Sequence, residues 1–190
     1  MNIVKSVEGI QKIFDAFKSD YMLLSGNIEK NLKFFIGMIC EENIKKFSYV
    51  CDKNTKGHEI DFLGFKNGKP CVAAELKCTF AYAKSYSKGQ AKDAVLKIRK
   101  TIKIKNLESS TKQIIHFLNT SNPKGESSLN PGYIKEKYKY SLNKTVFLTI
   151  DELETEYRST LGRLKYKISS HEFEFKHSSV GLAVLVITFN

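Results

Sequence analysis

The chain has 190 residues, 42% of them apolar and 27% charged, with only three prolines; at that length one domain buries about 70% of the surface its unfolded chain exposes, which excludes a disordered tail. Thirty-one Lys and Arg against twenty Asp and Glu leave a net charge of +11, an excess that points to a polyanion such as nucleic acid, the alternative being an idle basic surface. No apolar run reaches the ~18 residues of a membrane span, and the first 25 residues, with Asp15 and Asp20, lack a signal-peptide pattern, so a cytoplasmic (intracellular) protein with no membrane partner is expected.

Val7, Ile10, Ile13, Phe14 and Phe17 recur at helical spacing and predict an amphipathic helix over 6–19. After Ser25 and Asn27, which offer caps, Ile28, Leu32, Phe35, Ile36 and Ile39 form the apolar face of a second helix. Glu29 lies about 100° around that helix from Ile28, at the border of the buried stripe. The period then shortens to two. Residues 48–51 and 58–65 read as strands, 66–69 as an Asn-Gly turn and 71–78 as a third strand, together an antiparallel meander. Ala91, Ala94, Val95, Ile98 and Ile102 predict a helix over 89–105, followed by a strand at 113–118. Strand, helix, strand in that order implies a right-handed crossover. Past a polar loop and a Lys/Tyr-rich stretch, a strand over 145–150, a helix from Asp151 and strands near 171–177 and 181–189 are expected. The fold class is α/β, a central mixed β-sheet flanked by helices in a single domain, 1–190.

The segment 57–78, GHEIDFLGFKNGKPCVAAELKC, carries the chemistry. Alternate residues of a strand share a face, so Glu75 and Lys77 point the same way, and the turn brings Asp61 alongside them. Carboxylates on otherwise apolar strands lose hydration and repel each other, a cost that a hard divalent cation relieves. Mg²⁺ takes one or two protein carboxylates and leaves room for water and phosphate oxygens. With Lys77 as a compact positive charge beside the reacting groups, the set suits phosphodiester hydrolysis. The plain alternative is an exposed ion-pair cluster on an edge hairpin, which would contribute little.

An acidic residue, a hairpin and then (D/E)-x-K on the next strand resembles the PD-(D/E)XK nuclease superfamily, with Asp61, Glu75 and Lys77 at the matching positions. Ile60 stands where the name-giving proline would be, and a second E-x-K, Glu174 to Lys176, lacks the preceding parts. The resemblance implies a restriction-endonuclease-like core over 26–118, with 119–190 as a C-terminal elaboration. It nominates Glu29, in GNIEK, as a further metal-site residue and Gln90, opening the helix after the motif, as a catalytic candidate. It further implies a Mg²⁺-dependent DNA endonuclease, with Mn²⁺ able to substitute, of restriction type or of a structure-selective type such as a Holliday-junction resolvase. One site per chain and two strands to cut make a homodimer the expected assembly. The rival from another class is a non-catalytic nucleic-acid-binding module.

Between Lys84 and Lys105 eight basic residues face one acid, Asp93. Lys92, Arg99, Lys100 and Lys103 gather on one side of the helix, and with Lys84 and Lys88 they form a track for phosphates. Lys135, Lys137 and Lys139 interleave with tyrosines in a second patch, and Tyr82 and Tyr86 follow the motif closely enough to meet substrate. Arg163, Lys165 and Lys167 are a third basic group. No P-loop or GxGxxG glycine pattern occurs. The four histidines lack zinc spacing, and Cys40, Cys51, Cys71 and Cys78, with no CxxC pair, are expected as reduced, buried thiols.

Overall fold

The fold is described from a computed structural model, which describes residue 9 and residues 28–55, 57–80, 84–119, 148–174 and 181–189. Apart from Gly9, the helix expected over 6–19 lies outside those residues, as do the caps Ser25 and Asn27, Tyr82, the patch containing Lys135, Lys137 and Lys139, and the side chains of Lys84 and Tyr86.

Helix α1, Ile28–Asn43, precedes strands β1, Phe47–Thr55, β2, His58–Lys66, and β3, Lys69–Phe80. Helix α2, Lys84–Ile102, a 3₁₀ turn at Lys105–Leu107, β4, Thr111–Asn119, helix α3, Ile150–Leu161, β5, Tyr166–Glu174, and β6, Gly181–Phe189, complete the described elements. The six strands form one mixed sheet in the order β1-β2-β3-β4-β6-β5, flanked by helices, so the molecule is α/β. β1, β2 and β3 are the antiparallel meander, and Asn67 (φ 53°) with Gly68 (φ 73°) supplies the two left-handed residues of its second turn. β3 and β4 are parallel, a pairing that needs a crossover, and α2 provides it.

Alternation along the strands sorts the core into two layers. Phe62, Val72, Ala74, Leu76, Ile115, Phe117, Val184 and Val186 pack against Leu32, Ile36, Ile39 and Cys40 of α1. Ile114, Leu118, Leu185, Ile187 and Phe189 face Ala91, Ala94, Val95 and Ile98 of α2 and Leu153, Tyr157 and Leu161 of α3. Each such side chain, fully buried, contributes about 1.5–3 kcal/mol. α3, β5 and β6 thus build the sheet and its second layer. Among the described residues no helix is long and apolar enough to cross a membrane.

Several boundaries differ from expectation. The strand over 145–150 is not formed at its described end, where Leu148 and Thr149 are irregular and Ile150 is already helical. Thr149 and Glu152 exchange side-chain and backbone hydrogen bonds in a capping box, so the chain turns into α3 there. α2 begins at Lys84 and ends at Ile102 instead of spanning 89–105, its polar opening turns having no apolar period to mark them. β5 occupies Tyr166–Glu174 instead of 171–177. The four cysteines are free, but only Cys40 is fully buried.

Candidate active site

β2 and β3 do not pair along their whole length. Their register runs from Lys66↔Lys69 to Phe62↔Ala74; beyond it, residues 58–60 of β2 stay with β1 and residues 75–80 of β3 stay with β4. The sheet forks there, and Asp61 and Glu75 are the first residues past the last β2–β3 pair. Leu76 N–H, with no β2 backbone opposite, donates to Asp61 Oδ2 at 2.9 Å. The carboxylate therefore satisfies a ladder position that the fork leaves open.

Asp61 and Glu75 are only 2% and 3% exposed, and Lys77 is 8% exposed. An edge cluster in solvent is thereby ruled out. Lys77 Nζ lies 2.8 Å from Glu75 Oε1 and 3.2 Å from Asp93 Oδ2, while Lys97 Nζ from α2 lies 3.0 Å from Glu75 Oε1 and 3.9 Å from Asp61 Oδ1. From the α1 side, Lys33 Nζ reaches Asp52 Oδ1 at 2.7 Å, Asp61 Oδ1 at 3.3 Å and Glu29 Oε1 at 3.7 Å. Asp61 is thus touched by lysines from both helix layers, through the fork.

Asp52 stands between the β1–β2 pairs Cys51↔Phe62 and Lys53↔Ile60, with φ 53°. That left-handed conformation is tolerated by Asp better than by most residues. Asp52, Glu59 and Asp61 can each place an oxygen within 4.8 Å of the other two. In all, six carboxylates meet three ammonium groups, an excess of three negative charges when every group is ionised.

The charges respond to that crowding. Burial, and next the charge of Asp61, push Glu75 up to about 7 against the attraction of Lys77. Burial also acts on Asp61, but hydrogen bonds from the Glu75 carboxyl and Leu76 N–H, with Lys33 and Lys97 nearby, hold it below the usual range. Burial works against the charged form of Lys77, yet Glu75, Asp61 and Glu29 outweigh it and keep the ammonium protonated far above neutrality. Glu29 is raised, chiefly by burial. Glu75 Oε1 is buried between the Lys77 and Lys97 ammonium groups, without a well-aligned hydrogen bond. The donor set is carboxylate oxygen throughout, and it fits a hard divalent ion.

The structure therefore brings together Asp61, Glu75, Lys77 and Glu29. Gln90 is not in contact with the acidic pair. Its amide donates to Cys78 O at 3.4 Å and its carbonyl accepts from Thr79 Oγ1. Thr79 Oγ1 is 2.7 Å from His116 Nε2, and His116 Nδ1 is 2.8 Å from Tyr157 Oη. Because Thr79 gives its proton to Gln90, Nε2–H donates to Thr79 and Nδ1 accepts from Tyr157. Burial, with the charge of Lys77 beside it on the β3–β4 ladder, lowers His116 to about 3 and keeps it neutral. His58, half-buried, bonds Thr101 Oγ1 at 2.8 Å. Lys88, Lys92, Arg99 and Lys100 are exposed along α2, and Lys103 is exposed just past its end.

Lys33, Asp52, Asp93 and Lys97 are not marked by the motif. Lys33 follows Glu29 by one helical turn, and Gln90, Asp93 and Lys97 share a stripe of α2. Asp52 is found by counting equally back and forward from the tight β1–β2 turn, which sets it opposite Asp61. No family model, curated protein or solved structure matches the chain.

Proposed function

We propose that the protein is a Mg²⁺-dependent DNA endonuclease of the PD-(D/E)XK kind, most simply a restriction-type enzyme. The reading rests on one observation above the others: two buried carboxylates at a sheet fork, with the Lys77 ammonium 2.8 Å from the second of them. Asp61 and Glu75 would hold Mg²⁺, or Mn²⁺ in its place, with Glu29 at the rim. When bound, the ion polarises a phosphoryl oxygen and acidifies water.

The chain's own residues supply the rest. Leu76 N–H fixes the orientation of the Asp61 carboxylate, and Lys33 and Lys97 hold the other Asp61 oxygen from opposite sides. Lys77, permanently charged and almost desolvated, orients the attacking water and stabilises charge gathering on the phosphoryl group. The exposed bases Lys88, Lys92 and Lys100 would carry the phosphates of the duplex toward the fork. Cutting both strands then takes two copies, as a two-fold homodimer.

The test is incubation of the protein with plasmid, branched and single-stranded DNA, with Mg²⁺ or with chelator. Cleavage only with the metal supports the reading, and the preferred substrate separates a restriction-type enzyme from a junction resolvase. Salt-sensitive binding without any cleavage would make the protein a non-catalytic binding module.

A further inference from the structure

A second feature lies on α2, away from the acidic fork. Arg99 and Ile102 of α2 and Lys103 just past its end, with Arg163 and Leu164 from the turn after α3, line a cavity of about 370 Å³. Lys97 faces the fork, whereas Arg99, about 200° around α2 from it at 100° per residue, projects from the far side and meets Leu161. The cavity is therefore separate from the carboxylates.

Its lining is specific in kind. Three cations converge on it, and among the described residues no carboxylate pairs with Arg99, Lys103 or Arg163. Arg99 is already positioned, since its Nη2 donates to Leu161 O at 3.1 Å, and this leaves its other N–H groups for a ligand. Between the cations, Ile102 and Leu164 provide half-buried apolar floor. A lone phosphate would use the cations and leave that floor wet. The volume instead falls in the range of small-ligand pockets, ~300–1,000 Å³.

We propose that this pocket binds one nucleoside phosphate unit, its phosphate among Arg99, Lys103 and Arg163 and its base on Ile102 and Leu164. Arginine suits both halves, pairing with phosphate through its fork and stacking on a base through its plane. The unit can come from a free nucleotide or from a nucleotide of a strand. The pocket holds no group of the metal site, so binding there does not depend on catalysis.

Titration calorimetry of the full chain, in low salt and chelator, tests it with inorganic phosphate, AMP and a short single-stranded oligodeoxynucleotide. The comparison protein carries Lys103→Ala and Arg163→Ala together, two exposed positions whose loss leaves the core intact. A free-nucleotide site predicts AMP binding that is about tenfold weaker in the double variant and tighter than phosphate in the intact protein. A strand site predicts no measurable AMP binding and about a tenfold loss for the oligonucleotide. Unchanged affinity of the double variant for every probe, or measurable phosphate binding as tight as that of AMP, would overturn the proposal. Chelator keeps the result independent of whether the protein cuts DNA.

Discussion

Asp61 and Glu75 share one desolvated fork but hold their protons differently, and that difference sets a pH dependence. Glu75 keeps its proton up to about pH 7 in the folded chain against an ordinary 4.5. Between those values the folded state binds more protons than the unfolded one, so its contribution to stability falls as pH rises through that window. Asp61, shifted down from 3.8, acts the opposite way, and its contribution is lost only as pH falls toward its folded value. In chelator, thermal melts from pH 5 to pH 8 should therefore show the Glu75 contribution disappearing. Adding Mg²⁺ should raise the melting temperature far more at pH 8 than at pH 5. At about a hundred times its Kd a ligand adds ~2.7 kcal/mol, about 5–10 °C for a chain this long. A shift that is equal at both pH values would contradict metal binding at this pair. Asp61→Asn retains an acceptor for Leu76 N–H while removing the charge. It should melt within a few degrees of the intact protein and lose the metal-induced shift.

At the scale of elements, the closeness of α1 to the sheet delivers Lys33 and Glu29 to the fork. Gly37 lies against the ring of Tyr49, which itself stacks on Phe62, and a Cβ at Gly37 would fall 2.2 Å from that ring. Gly37→Ala should force α1 outward at a cost of ~1–3 kcal/mol, read by denaturant unfolding, and should weaken Mg²⁺ binding by drawing Lys33 and Glu29 off Asp61. Metal affinity unchanged in a destabilised Gly37→Ala protein would separate α1 from the site. The same elements show what a sequence can reveal. The meander is legible because strand-length apolar runs and Asn67-Gly68 are local signals, and Asp61, Glu75 and Lys77 follow from them. The start of α3 is misread from composition: TVFLTI has a strand's residues, yet Thr149 and Glu152 already spell a capping box. Lys33 and Lys97 reach the fork from the helices through packing between layers, which motif spacing does not encode, whereas Asp52 comes from the neighbouring strand of the β1–β2 hairpin. His116 and Tyr157 meet for the same reason, joining β4 to a helix that begins 31 residues after β4 ends.

Over the whole molecule, the excess of +11 lies outside the fork, where three lysines are outnumbered by carboxylates. Lys33, Lys77 and Lys97 pair with buried carboxylates, whereas Lys92 and Lys100 stand in solvent on α2. Such exposed bases are free to meet phosphates. Lys92→Glu with Lys100→Glu should weaken DNA binding and flatten its salt dependence, by a slope of about 0.9 for each phosphate no longer neutralised, in fluorescence-anisotropy titrations over a range of salt. An unchanged slope would remove α2 from the binding surface. The nuclease reading stands most directly on Lys77, whose position at the fork has no use in binding duplex from solution. Single-turnover cleavage of a labelled DNA by the intact protein and by Lys77→Met, each saturated with Mg²⁺, measures that. A catalytic Lys77 requires a rate in the variant lower by at least about 10²–10³ with DNA affinity unchanged. A Lys77→Met protein that cuts as fast as the intact one would refute the assignment.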